Sequence, residues 1–111
     1  MKVKKMLFDD FYNDLKKADF HLSEAENKKP INRPYLICLK GIDKSIYADG
    51  VPVIKKAEVI VELYTDKFDV QSQKKLEDWF LAYGYNRYEL TERTFILNEN
   101  CYVTAYKVII I

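Results

Sequence analysis

The stretch that most constrains this chain is Lys55 to Lys67, KKAEVIVELYTDK. Its alternation puts Ala57, Val59, Val61 and Leu63 on one face and Glu58, Ile60, Glu62 and Tyr64 on the other. A period of two with β-branched residues at its centre is the pattern of a half-buried strand. A helix would scatter the valines around its circumference and set Glu58 and Glu62 on one face with no basic partner between them. The eight residues Ala57 to Tyr64 span ~26 Å as a strand, enough to cross a small domain. This segment is the expected central strand.

A chain of 111 residues suits one domain, 1–111, and leaves little room for a second. Hydrophobic residues make up 49% of it and aromatic residues 14%, enough for a real core. Eighteen basic against seventeen acidic residues leave a net charge of +1, whereas a dedicated nucleic-acid binder carries a clear basic excess. Cys38 and Cys101 are far apart, without CxxC spacing, and both fall in apolar runs. Buried thiols are therefore expected in place of a disulfide or metal pair. No apolar run is long enough to span a membrane, and no signal-type apolar core follows the Lys-rich start. The expectation is a soluble protein made inside the cell.

Leu7, Phe8, Phe11, Tyr12 and Leu15 recur at helical spacing and predict an amphipathic helix from about Lys4 to Lys17. Acids early and Lys16–Lys17 late suit its dipole. From Ala18 to Pro34 the periodicity dissolves, and two of the three prolines lie there. Residues 18–34 read as a long connection, with the single histidine, His21, an ordinary loop residue. Tyr35 to Lys40 reads as a strand pairing antiparallel with the central one through a large hairpin. Ile46 and Tyr47 add a short strand before an Asp49–Gly50 turn, and Pro52 marks a strand beginning or edge. Asp69 is placed to cap a second helix, which Gly84 ends. Leu76, Trp79, Phe80 and Tyr83 share one face of it and are expected to be core. Tyr85 to Leu97 then reads as a strand with Tyr88, Leu90, Thr94 and Ile96 on one face. Asn98 to Asn100 form the turn, and Cys101 to Ile111 form the last strand. The expected fold is α+β, a single domain in the order α-β-β-α-β-β, with two helices on an antiparallel sheet.

The sequence contains no glycine-rich phosphate loop, no GxSxG, no HExxH and no Cys–His cluster. Glu89 and Glu92 near Arg87 and Arg93 imitate a catalytic acid beside an anion site, but on an exposed strand such residues form weak surface pairs. Tyr83, Tyr85, Tyr88, Tyr102 and Tyr106 crowd the second half, and tyrosine is favoured in cores and at protein interfaces. With lysines beside them they could also stack single-stranded bases.

Five pieces together carry a family resemblance: MLFDDFYNDLKK, PYLICLKG, YADGVPVIKKAEVIVELYTDK, LEDWFLAYG and YELTERTFILNENCYVTAYKV. The most specific is YADG followed, after a short spacer, by VELYTDK; together the pieces cover most of the chain outside the 18–34 segment. The chain resembles small prophage proteins of Gram-positive bacteria, of the tail terminator (tail completion, head–tail joining) family of long-tailed phages. The resemblance implies a small α+β domain forming a ring, a hexamer, on the last ring of the tail tube. Such a ring stops tube growth and presents a surface for the filled head. The implied partners are other copies of the chain, the tail tube protein and a head–tail connector protein, with no membrane and no specific nucleic acid. The implied location is the neck and tail of the virion, and the host cytoplasm during assembly. The family carries no catalytic motif, so no enzyme activity, cofactor or metal is expected. The expected contact residues are Ile46, Tyr47, Asp49 and Val51 of the 41–52 hairpin, and Ile109, Ile110 and Ile111 of the terminal strand, which is apolar on both faces. Two alternatives are another head–tail connector (stopper or completion) subunit and a small nucleic-acid-binding protein.

Overall fold

In a computed structural model, residues 7–23, 32–41, 44–48 and 51–110 are described, with the backbone path alone for 7, 44–48 and 51–56. The elements are α1 (Leu7–Leu15), β1 (His21–Ser23), β2 (Tyr35–Lys40), β3 (Lys44–Ala48), β4 (Val51–Thr65), α2 (Val70–Ala82), β5 (Tyr88–Ile96) and β6 (Cys101–Ile110). The domain is α+β, but its order is α-β-β-β-β-α-β-β. Five strands form one sheet in the order β1-β2-β4-β6-β5, and β3 pairs with β4 off that path.

The central strand lies where its alternation puts it. β4 holds Ala57, Val59, Val61, Leu63 and Thr65 buried on one face, with Glu58, Ile60, Glu62 and Tyr64 half-buried on the other. It pairs antiparallel with β2 on one side (Leu36 opposite Leu63, Cys38 opposite Val61) and with β6 on the other (Val61 opposite Tyr106, Val59 opposite Val108). Both helices cover the valine face. Phe11 and Leu15 of α1 and Leu76, Trp79 and Phe80 of α2 form one core with Leu36, Cys38, Val59, Val61, Leu63, Tyr106 and Val108. Each such side chain contributes roughly 1.5–3 kcal/mol on full burial.

Four expectations need correction. α1 stops at Leu15, and the chain tightens through Lys17 N–H to Asp14 O and Ala18 N–H to Leu15 O, both 3.0 Å, so Lys16 and Lys17 follow the helix. Within the supposed 18–34 loop, His21–Ser23 forms β1, which runs parallel to β2 with Leu22 opposite Leu36. The sheet is thus mostly, not wholly, antiparallel. Three residues carry too little periodicity to announce a strand; β1 exists because the free edge of β2 satisfies its backbone groups. Tyr83 is 41% exposed and does not join the core face. It is the helix C-cap, at φ −96° and ψ 8°, and it leaves the helical path to stack on Trp79 at 4.8 Å. Finally, β5 shifts register between Leu90 and Glu92. The extra residue reverses the side-chain parity. Tyr88, Leu90, Arg93 and Phe95 therefore share the helix-covered face with Val108, Tyr106, Thr104 and Tyr102, while Thr94 and Ile96 pair with Val103 and Cys101 on the other.

Other features follow the sequence. The Asp69 carboxylate accepts from Ser72 N–H at 2.9 Å and Ser72 Oγ–H at 2.7 Å, capping α2. Gly84 ends the helix at φ +82°, a conformation that suits glycine. Cys38 and Cys101 are both free and buried.

Candidate assembly surfaces

β4 has 15 residues, ~50 Å of strand. Its last nine residues build the sheet, and among the described residues its beginning pairs with β3 alone, Lys44 opposite Lys56 and Ala48 opposite Val51. β6 ends at Ile110, opposite Ala57. β3 and residues 51–56 thus continue past the end of β6 as a two-stranded ribbon, on a molecule measuring 51 × 26 × 25 Å. Pro52, opposite Tyr47, is the second residue of β4, and among the described residues no strand pairs with its other side here.

Five of the seven expected contact residues lie at this end of the molecule. Ile46, Tyr47 and Val51 lie on the ribbon, and Ile109 and Ile110 lie at its base, opposite Glu58 and Ala57. Asp49 and Ile111 lie outside the described residues. The two isoleucines divide between the faces of the sheet. Ile110 packs against the core, whereas Ile109 lines a shallow groove with Arg87, Glu89 and Lys107 on the helix-free face. The Lys107 ammonium lies 3.8 Å from Glu58 and 3.4 Å from Glu89, bridging three strands.

The rest of the helix-free face is mixed in character. Tyr35 and Tyr64 stack across β2 and β4, 4.7 Å between centroids and 6° from parallel. Tyr64 Oη–H donates to Glu62 at 3.0 Å, and Ile37, Leu39 and Ile60 are half-buried nearby. Burial, with Glu62 beside it, pushes the Tyr64 phenol well above its ordinary pKa. Burial likewise raises Tyr35. Arg33 donates to Asp66, and that hydrogen bond holds the guanidinium charged.

A third surface lies between α2 and β5, built from residues that no single sequence pattern joins. Glu77 of α2 accepts from Tyr88 Oη–H at 3.3 Å and from Tyr106 Oη–H at 2.7 Å. Arg93 donates to Gln73 Oε1 at 2.7 Å and lies over the Phe68 ring at 4.5 Å. Phe68 and Phe95 each meet Tyr102 edge-on. The bulge in β5 is what turns Arg93 and Phe95 to this side, so a strict alternation hides the cluster.

The acid-and-anion constellation suspected around Arg87–Arg93 does not converge: Glu89 faces Lys107 on one side of the sheet, and Arg93 faces Gln73 on the other. Glu92 accepts from its neighbour Thr94 at 2.7 Å. Burial pushes the Cys38 thiol up to about 12 and raises Cys101, so neither is a thiolate nucleophile at neutral pH. His21 is exposed on β1. Among the described residues, no three His, Cys, Asp or Glu side chains come close enough to hold a metal ion. No helix among them is long and apolar enough to cross a membrane.

Comparison with known proteins identified no matching protein-family model and no matching curated protein.

Proposed function

We propose that the protein is a structural component of a long-tailed phage, a subunit of the ring that caps the head-proximal end of the tail tube and joins tail to head. The reading rests on the sequence resemblance, whose most specific stretch, YADG to VELYTDK, contributes to β3 and β4. The observation that carries it further is the β3–β4 ribbon extending beyond β6, with Ile109 and Ile110 at its base. A ring needs a heterologous contact, in which one patch of a subunit meets a different patch of the next. A protruding ribbon whose edges are unpaired among the described residues supplies one half of such a contact, and the groove around Ile109 supplies apolar surface beside it. The proposed partners are further copies of the chain in a hexamer, the tail tube protein and a head–tail connector, and the function is binding without catalysis.

Electron microscopy of particles made without this gene tests the reading. Overlong or ragged tails beside separate DNA-filled heads are expected for a tail terminator. Tails of normal length that fail to join heads would assign the chain to another connector position. Normal infectious virions would refute a structural role in the particle.

A further inference from the structure

Among the described residues, five large apolar side chains lie exposed on the α2–β5 side: Phe68, Val70, Leu81, Leu90 and Phe95, at 41–60% exposure. Together they present on the order of 400–500 Å² of apolar surface, the range of the largest and often functional apolar patch of a monomeric protein. The α2 part of this surface has a simple internal order. Val70, Lys74, Glu77 and Leu81 recur at spacings of four, three and four, which places them on one stripe. They line the groove that Tyr88 of β5 closes, so the stripe flanks the buried face of the helix and points toward the sheet edge.

Read from either end, the stripe runs apolar, charged, charged, apolar, with the base in one half and the acid in the other. Two copies of α2 laid antiparallel would set Val70 against Leu81 of the second copy and Lys74 against its Glu77. A parallel arrangement would set Lys74 against Lys74 and Glu77 against Glu77, which is repulsive. Lys74 is able to take a new partner: its 2.7 Å pair with Asp78 is exposed on both sides, and such pairs are weak. Glu77 accepts one hydrogen bond on each carboxylate oxygen and retains capacity for another. Strand pairing between copies is the weaker alternative, because the β5 edge is bulged between Leu90 and Glu92 and carries Glu89, Glu92 and Arg93.

We propose that a second copy of this chain packs on this face about a two-fold axis, α2 antiparallel to α2. Two such patches total roughly 800–1000 Å², which with a polar rim reaches the ~1200 Å² scale of a specific interface. The contact is isologous and does not use the β3–β4 ribbon, although Tyr88 borders both this groove and the one around Ile109.

Cysteine cross-linking of the full chain tests the geometry. Positions 70 and 81 are eleven residues, ~16 Å, apart along the helix. An antiparallel pair brings position 70 of one copy near 81 of the other, and leaves 70–70 and 81–81 beyond the ~7 Å limit for a disulfide. The double variant Val70→Cys/Leu81→Cys should give a covalent dimer on mild oxidation at low micromolar protein, and each single variant should not. In sedimentation velocity, Leu81→Lys, at an exposed position, should weaken the wild-type dimer at least tenfold while the monomer stays folded by circular dichroism. A double variant that cross-links no better than the single ones would overturn the proposal. So would efficient cross-linking of Val70→Cys alone, or a wild-type association that Leu81→Lys leaves unchanged.

Discussion

The hydroxyl of Tyr106, fully buried in β6, donates to the Glu77 carboxylate on α2 at 2.7 Å. This bond ties the helix to the sheet at a point where the surrounding contacts are apolar: Phe80 meets Tyr106 edge-on at 5.6 Å, and Phe80 also packs on Tyr88 at 4.9 Å. Tyr106→Phe keeps the ring and removes the donor. The expected loss is about 1.5 kcal/mol, at the low end for a bond to a charged group because Glu77 is only half-buried and water can replace the donor. Urea denaturation of the variant checks it.

Alkaline pH should destabilise the domain. Burial raises the phenols of Tyr35, Tyr64, Tyr85, Tyr88 and Tyr106, and nearby acids add to the shift at Tyr64 (Glu62), Tyr85 (Asp14), Tyr88 and Tyr106 (Glu77). With the folded pKa above the unfolded value, the folded state keeps its protons where the unfolded chain loses them. Stability is therefore fully present below about pH 10 and declines as pH rises beyond it. Tyrosinate absorbance should lag behind that of the unfolded chain and then rise together with loss of the far-ultraviolet dichroism. Tyrosines that titrate freely in the folded protein at their ordinary pKa would contradict this.

The Asp69 cap should show the opposite dependence. Its hydrogen bonds from the Ser72 backbone and side chain hold the carboxyl below its ordinary pKa. The contribution is present above about pH 4 and fades as pH falls through the lowered value. Asp69→Ala should cost about 1 kcal/mol at neutral pH and less in acid, read as a shift in urea midpoint at two pH values.

Gly41→Ala should weaken the β2–β4 pairing. A Cβ at this position would sit 2.6 Å from the Glu58 carbonyl oxygen and 2.9 Å from Glu58 Cβ. Retreat would stretch the 2.7 Å hydrogen bond from Gly41 N–H to that same oxygen. A cost of about 1–3 kcal/mol is expected in chemical denaturation, as for other over-packed sites.

Ile109 and Ile110 should separate assembly from folding. Ile110 packs against the core, so Ile110→Ser should lower thermal stability by roughly 2 kcal/mol. Ile109 lines the groove on the helix-free face, and Ile109→Ser should leave a folded domain that fails to complement tail assembly. Wild-type complementation by Ile109→Ser would remove this residue from the proposed ring contact.

The candidate surfaces were legible in part. Position before an Asp–Gly turn puts Ile46 and Tyr47 on a short strand, and they lie on β3. The stripe Val70–Lys74–Glu77–Leu81 could have been read from its spacing, but spacing does not tell an exposed stripe from a buried one. Leu76 and Leu81 have the same side chain on the same helix; packing buries the first and leaves the second 55% exposed. The Glu77–Tyr106 bond joins residues 29 apart, and no local pattern announces it.

By itself the sequence determined what depends on neighbours along the chain. The alternation of Ala57 to Tyr64 specified a strand and its buried face, Asp69 specified the start of α2, and Gly84 its end, because periodicity, side-chain capping and backbone freedom are local properties. Tertiary structure decided what depends on partners elsewhere. It made His21–Ser23 a parallel strand by offering the edge of β2. It inserted the extra residue that turns Arg93 and Phe95 to the helix side and Thr94 and Ile96 away. A strand's register is settled by the strand beside it, and one residue of slip carries every following side chain to the opposite face.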